Sequence, residues 1–197
     1  MGNRQSLEQE LKAYLRNGEK VCWQGKTENF PLLDNDAKWQ ILGKWIGTIV
    51  VAGGILVMYI GGNEAWSVKV AGLIALIAAL MVISPFVEHD SVLKQNYWIT
   101  DQRAILMTRD RSFYSMELSA IDDFQLVQRK ASRDCLVLGS CIFEDINRQL
   151  RWRACHPKTD VQSDGKADEA QGLVFFGVSN GESAAALLRQ YKANTAA

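Results

Sequence analysis

Apolar residues are spaced along this chain in three ways, and each spacing predicts a different kind of element. From Ile41 to Ile60 and from Val70 to Val87 they are nearly continuous, with only a short connection around Gly61, Gly62, Asn63 and Glu64 between the runs. Crossing a hydrocarbon core ~30 Å thick takes ~20 mostly apolar helical residues. The second run carries no charge, and the first reaches the length if Lys44 snorkels its ammonium to the interface. The pattern predicts a transmembrane helical hairpin over residues 41–87, with spans 41–60 and 70–87. Trp39, Trp45, Tyr59 and Trp66 fall near the span ends, where aromatic belts form. Gly43 and Gly47, with Ala71, Ala75 and Ala79 at the same spacing, predict close helix packing, either between the two spans of one chain or between copies. Pro85 falls in the last turn of the second span, where it can kink the exit.

The second spacing is helical and amphipathic. Leu7, Leu11, Tyr14 and Leu15 make one apolar stripe on a helix over 6–17, with Ser6 and Gln9 as a capping box and Gly18 as its end. Such a helix serves a membrane surface or a partner, or packs on the chain's own soluble domain. Ala184, Leu187, Leu188 and Tyr191 make a similar stripe on a terminal helix, with Ser179 and Glu182 as its capping box.

The third spacing is strand-like. Val21-Cys22-Trp23 is a short strand closed by Gly25, and Phe30 to Asp36 is a loop. After Lys94, strands are predicted at Tyr97–Thr100, Arg103–Thr108, Phe113–Leu118, Phe124–Gln128, Leu136–Leu138, Ile142-Phe143, Leu150–Ala154 and Leu173–Val178. The polar segment Pro157 to Gln171 reads as a mobile loop. These elements predict a membrane α+β protein: a polar N-terminal region (1–40), the hairpin (41–87), and a small antiparallel β-barrel or sandwich capped by a C-terminal helix (94–194).

Composition changes this picture little. With 22 basic and 22 acidic side chains, bulk charge gives no reason to invoke nucleic acid. The polar start lacks the apolar core of a secretory signal peptide, so the first span is expected to direct its own insertion. Arg4, Lys12, Arg16, Lys20, Lys26 and Lys38 precede it, Lys94, Arg103, Arg109 and Arg111 follow the second span, and the connection holds only Lys69. The positive-inside rule then puts both termini in the cytoplasm of a cell whose plasma (inner) membrane holds the hairpin. Cys22, Cys135, Cys141 and Cys155 show no metal-ligand spacing and are expected to be buried, reduced thiols.

Certain strings carry a resemblance. Gly18-Glu19-Lys20-Val21 with Trp23 and Gly25 stands before the hairpin. After it comes Tyr97-Trp98-Ile99-Thr100-Asp101-Gln102-Arg103-Ala104-Ile105, then Leu118 with Ile121. Together they resemble the bacterial pleckstrin-homology-like (PH-like) domains of small membrane proteins, whose opening strand pair reads Tyr-x-hydrophobic-Thr-x-x-Arg-hydrophobic-hydrophobic. The resemblance spans most of residues 18–192 and implies a seven-stranded bent barrel capped by the terminal helix. The polar insertion after Cys155 departs from that pattern. By its chemistry the Thr100–Arg103 turn is structural, with Arg103 expected to pair with Asp101 or to dock on an aromatic such as Trp98.

Candidate chemistry is sparse. His89 and His156 lie in no catalytic motif, and no nucleophile elbow, P-loop, metalloprotease or dinucleotide signature occurs. His89, between Glu88 and Asp90, is expected to solvate the span boundary. Neither span holds an acidic or histidine side chain, which argues against an ion pathway. No catalytic residue, cofactor, metal or small-molecule substrate is expected. What remains are basic clusters: Arg109 and Arg111; Arg129, Lys130 and Arg133; Arg151 and Arg153. They are candidates for contact with lipid head groups or a partner. The sequence therefore predicts a non-enzymatic membrane protein whose PH-like domain serves protein–protein interaction or self-assembly, with lipid head-group binding through these arginines and lysine as the alternative.

Overall fold

A computed structural model describes residues 2–33, 38–62, 67–127, 134–139, 161–163, 169–178 and 180–195. Helix α1 (Gly2–Tyr14) and strand β1 (Val21–Lys26) precede two long helices, α2 (Lys38–Gly62) and α3 (Val68–Leu93). Strands β2 (Asn96–Thr100), β3 (Arg103–Met107) and β4 (Phe113–Glu117) follow, then a short 3-10 turn at Leu118–Ala120. Next come β5 (Phe124–Val127), β6 (Asp134–Leu138), β7 (Val161–Ser163), β8 (Ala170–Val178) and the terminal helix α4 (Gly181–Thr195).

The two long helices are apolar and long enough to cross a membrane. Their outward faces are uncovered: Val57 is 73% and Met58 78% exposed. Both extend beyond the predicted spans, and α3 continues past Pro85 to Leu93 rather than ending there. A proline has no N–H to give the carbonyl four residues earlier. Here the Ser84 hydroxyl donates to that carbonyl, of Met81, at 3.3 Å. The helices are joined by the Trp45 indole N–H donating to the Val82 carbonyl (3.0 Å) and by Trp45 stacking on Phe86. Lys44 donates to the Ser84 hydroxyl across the pair. The predicted small-residue seam is not what holds them. Nothing lies within 4 Å of where a Cβ would stand at Gly43 or Gly47, and Ala75 and Ala79 are exposed.

Two four-stranded antiparallel sheets follow, ordered β1-β2-β3-β4 and β5-β6-β8-β7. Neither closes into a barrel. Isolated bridges tie β8 and its approach to both edges of the first sheet, Thr27 with Val178 and Ser115 with Glu169. The core between the sheets holds Tyr97, Ile99, Ala104 and Leu106 from the first, Leu136, Leu138, Leu173 and Phe175 from the second, and Ala184, Ala185 and Leu188 of α4. The α4 stripe thus packs as its spacing predicts, although the helix starts at Gly181 with the Asn180 carbonyl accepting from the Ser183 N–H and hydroxyl. Ser179 lies outside the described residues.

Strands β2 and β3 are buried on both faces, which explains why Tyr97–Ile99 and Ala104–Met107 are apolar in succession instead of alternating. The face away from the core presents Trp98, Ile105 and Met107, and α1 lays Leu7, Leu11 and Tyr14 across them. Ser6 lies inside α1, so it is not the helix cap its spacing suggested. Strand β1 runs through Gly25 rather than stopping at it. The Trp23 ring passes over Gly25 so closely that a Cβ there would stand 2.3 Å from it. The segment 157–171 also departs from expectation, because it holds β7 and the start of β8, and β7 pairs with β8 between Ala170 and Leu173. The predicted strands Ile142-Phe143 and Leu150–Ala154 lie outside the described residues.

Candidate functional site at the base of the hairpin

The most constrained polar chemistry brings together the two strings on either side of the hairpin. Gly18, at φ +84°, turns the chain out of α1 and delivers Glu19 beneath the β2–β3 turn. Its carboxylate accepts two parallel bonds from Arg103, Nε to Oε1 at 2.9 Å and Nη2 to Oε2 at 3.0 Å. It also accepts from the Arg16 N–H (2.7 Å) and faces the Thr100 hydroxyl (2.7 Å). Arg103 donates further to the Tyr14 carbonyl and the Ser115 hydroxyl, and its guanidinium lies 4.6 Å from the Tyr14 ring centre. Burial pushes the Glu19 carboxyl up, but the bonds from Arg103, the Arg16 N–H and Thr100 outweigh it. The net effect holds Glu19 below the usual carboxylate range. Arg103 thus docks on an aromatic ring as expected, although the ring is Tyr14 and not Trp98, and its ion pair is with Glu19 and not Asp101. Asp101 instead joins β1 to β2, accepting from the Lys20 N–H at 3.0 Å while its own N–H donates to the Lys20 carbonyl.

At the other end of β2 stands a second buried hub. The Tyr97 phenol donates to Gln95 Oε1 at 2.8 Å, accepts from the Phe176 N–H at 3.1 Å and lies 2.8 Å from the Thr27 hydroxyl. These contacts tie the exit of α3, the end of β1 and the far sheet to one oxygen. Tyr97 stacks on Phe175, which stacks in turn on Trp23. The Trp23 indole donates to Ser183 in α4.

Beside this hub the base of α3 is fastened to the double-sheet unit. His89 Nε2 is 2.7 Å from the Phe30 carbonyl and its ring meets Phe30 edge-on. It is a docking contact, not a solvating group at the span boundary. Val92 packs with Cys135 and Phe176. Asp90 pairs with Lys94 (2.7 Å) and with Arg109 of the β3–β4 turn (3.1 Å).

Of the candidate contact residues, the structure brings Arg109 and Arg111 to this base, where each has a carboxylate. Arg109 pairs with Asp90 and Arg111 with Glu10, Arg111 holding a left-handed backbone at φ 64°. Arg129, Lys130, Arg133, Arg151 and Arg153 lie outside the described residues, as do Cys141, Cys155 and His156. Cys135 is buried as expected, whereas Cys22 is exposed, because the register of β1 against β2 slips at that point. Among the described residues no group of three or more metal-ligating side chains occurs. Glu19, Tyr97 and His89 are the polar residues that sequence reasoning undervalued. Glu19 and Arg103 each stand in a string singled out for resemblance, which was the available signal. No protein-family model, curated protein or solved structure matches the chain.

Proposed function

We propose that the chain is a non-enzymatic, two-span protein of a bacterial plasma (inner) membrane with both termini in the cytoplasm. In this reading its double-sheet unit is a divergent PH-like domain that serves protein–protein interaction or self-assembly at the membrane. One observation carries the reading: the unit is joined to the hairpin without a linker. Helix α3 ends at Leu93 and β2 begins at Asn96. His89, Asp90 and Val92 fix that exit, while β1 enters the same sheet from the other side of the hairpin. A unit held this way offers a partner surfaces of constant height and orientation. Strand β1 is an edge strand with Val21 and Cys22 exposed, and edge strands are a common docking mode. The PH-like assignment is supported by the Tyr97–Ile105 hairpin, by Glu19 reaching Arg103, and by the terminal helix on the core.

Head-group binding has one supporting observation, the placement of Arg109 and Arg111 beside the exit of α3. Asp90 and Glu10 already engage both guanidinium groups, so the interaction reading leads. Reporters fused after Gly62 and after Ala197 are expected on opposite sides of the membrane, and agreement between them refutes the hairpin topology. In native membranes, bismaleimide crosslinking of a variant keeping only Cys22 should give a discrete adduct that Cys22→Ser abolishes. A chain that stays monomeric and unreacted counts against interaction through β1.

A further inference from the structure

Along one face of the hairpin runs a groove of about 430 Å³, floored by Gly43, Gly47 and Val51 of α2 and walled by Ile74, Ile77 and Met81 of α3. Both glycines are open to it. The only charged residue in its lining is Lys44, at one end. No carboxylate among the described residues lies within ion-pair distance of that ammonium, whose partner is the Ser84 hydroxyl. From Gly43 to the last lining residue, Ile55, the α2 stretch is ~18 Å long at the helical rise. That is close to one leaflet, half of a ~30 Å hydrocarbon core.

We propose that this groove is a binding site for an anionic phospholipid of the leaflet on the Lys44 side, one acyl chain lying along the glycines and the phosphate meeting Lys44. The inference rests on the hairpin spanning a bilayer. An apolar channel of one-leaflet length, with a cation where the head groups begin, matches the charge and the shape of such a lipid. A second copy of the hairpin fits less well. A two-fold contact through this face, with its axis along the membrane normal, puts both Lys44 ammonium groups at the same depth. It brings two like charges to one interface and supplies no anion for either, whereas the lipid phosphate supplies one.

The test uses the full chain reconstituted in phosphatidylcholine vesicles doped with chain-spin-labelled phosphatidylglycerol or phosphatidylcholine, reading the motionally restricted fraction of each label. Wild type should prefer phosphatidylglycerol by about fivefold, the factor one cation near an anionic head group contributes. Lys44→Gln should abolish the preference, Lys44→Arg should keep it, and Gly47→Leu, which fills the channel, should weaken it. Lys38→Gln removes an interfacial cation outside the groove and should leave the preference intact. The proposal is overturned if Lys44→Gln retains the wild-type ratio, or if Lys38→Gln lowers it equally. It is also overturned if Gly47→Leu disperses a crosslinkable dimer while the ratio stays unchanged, since the groove then holds a second copy. Wild-type protein stripped from the vesicles by alkaline carbonate refutes the membrane reading along with the site.

Discussion

Glu19 and Arg103 show how much one buried residue can decide. The two side chains are 0% and 6% exposed, so removing one charge leaves the other without water or counterion. Breaking such a pair costs about 3–5 kcal/mol, whereas replacing both partners with apolar groups of similar volume is often tolerated. Glu19→Gln should therefore lower the denaturation midpoint of the detergent-solubilised protein sharply, and Glu19→Leu combined with Arg103→Met should recover much of the loss. The pH dependence follows from the direction of the Glu19 shift. Because its folded carboxyl titrates below the ordinary glutamate value of ~4.3, its contribution is complete above that value. It is lost as pH falls through the lower native value. A melting series through the acid range should show this loss in wild type and lack it in Glu19→Gln. Tyr97→Phe keeps the ring stack but removes the phenol oxygen that meets Gln95, the Phe176 N–H and Thr27. A cost of about 1–3 kcal/mol is expected from the same unfolding measurement.

Among the elements, α1 lies on the outer face of the first sheet. Its apolar stripe covers Trp98, Ile105 and Met107, and the fully buried Trp98 indole N–H beneath it has no acceptor among the described residues. Leu11→Ala removes the centre of that stripe and should cost about 2–5 kcal/mol locally. Hydrogen exchange should quicken across α1 while the amides of β2 and β3 keep their protection; equal loss in both would show that helix and sheet open together. The stripe itself was legible from Leu7, Leu11 and Tyr14, because one apolar face of period 3.6 has to be covered. The hairpin was legible for the same reason at larger scale, and the β2–β3 turn from Thr100 to Arg103. The partner of Arg103 was not, since no local pattern reports a contact 84 residues away. Nor was the course of β1: Gly25 reads as a stop, yet its missing side chain makes room for the Trp23 ring. Gly139 is similar, at φ +96° and with a Cβ position only 2.5 Å from the Gln171 carbonyl, a close approach that only the tertiary fold reveals.

At the scale of the whole molecule, the double-sheet unit draws its first sheet from both sides of the hairpin. A fragment of residues 94–197 lacks β1, α1 and Glu19, and leaves Arg103 without its carboxylate. It should be digested rapidly by protease, while the same fragment carrying residues 1–30 through a flexible linker should resist; a stable short fragment would show that β1 is dispensable. The placement of β1 also sets an order of events during synthesis. The strand leaves the ribosome before either apolar helix, but its partner β2 is made only after both. Glu19 and the open edge of β1 must therefore wait, unpaired, while the hairpin finds its place. Completion of the first sheet then reports that both helices are where they belong. A chain whose hairpin strays keeps β1 unpaired and its first sheet unfinished, and unfolded chain of this kind is what cellular proteases remove.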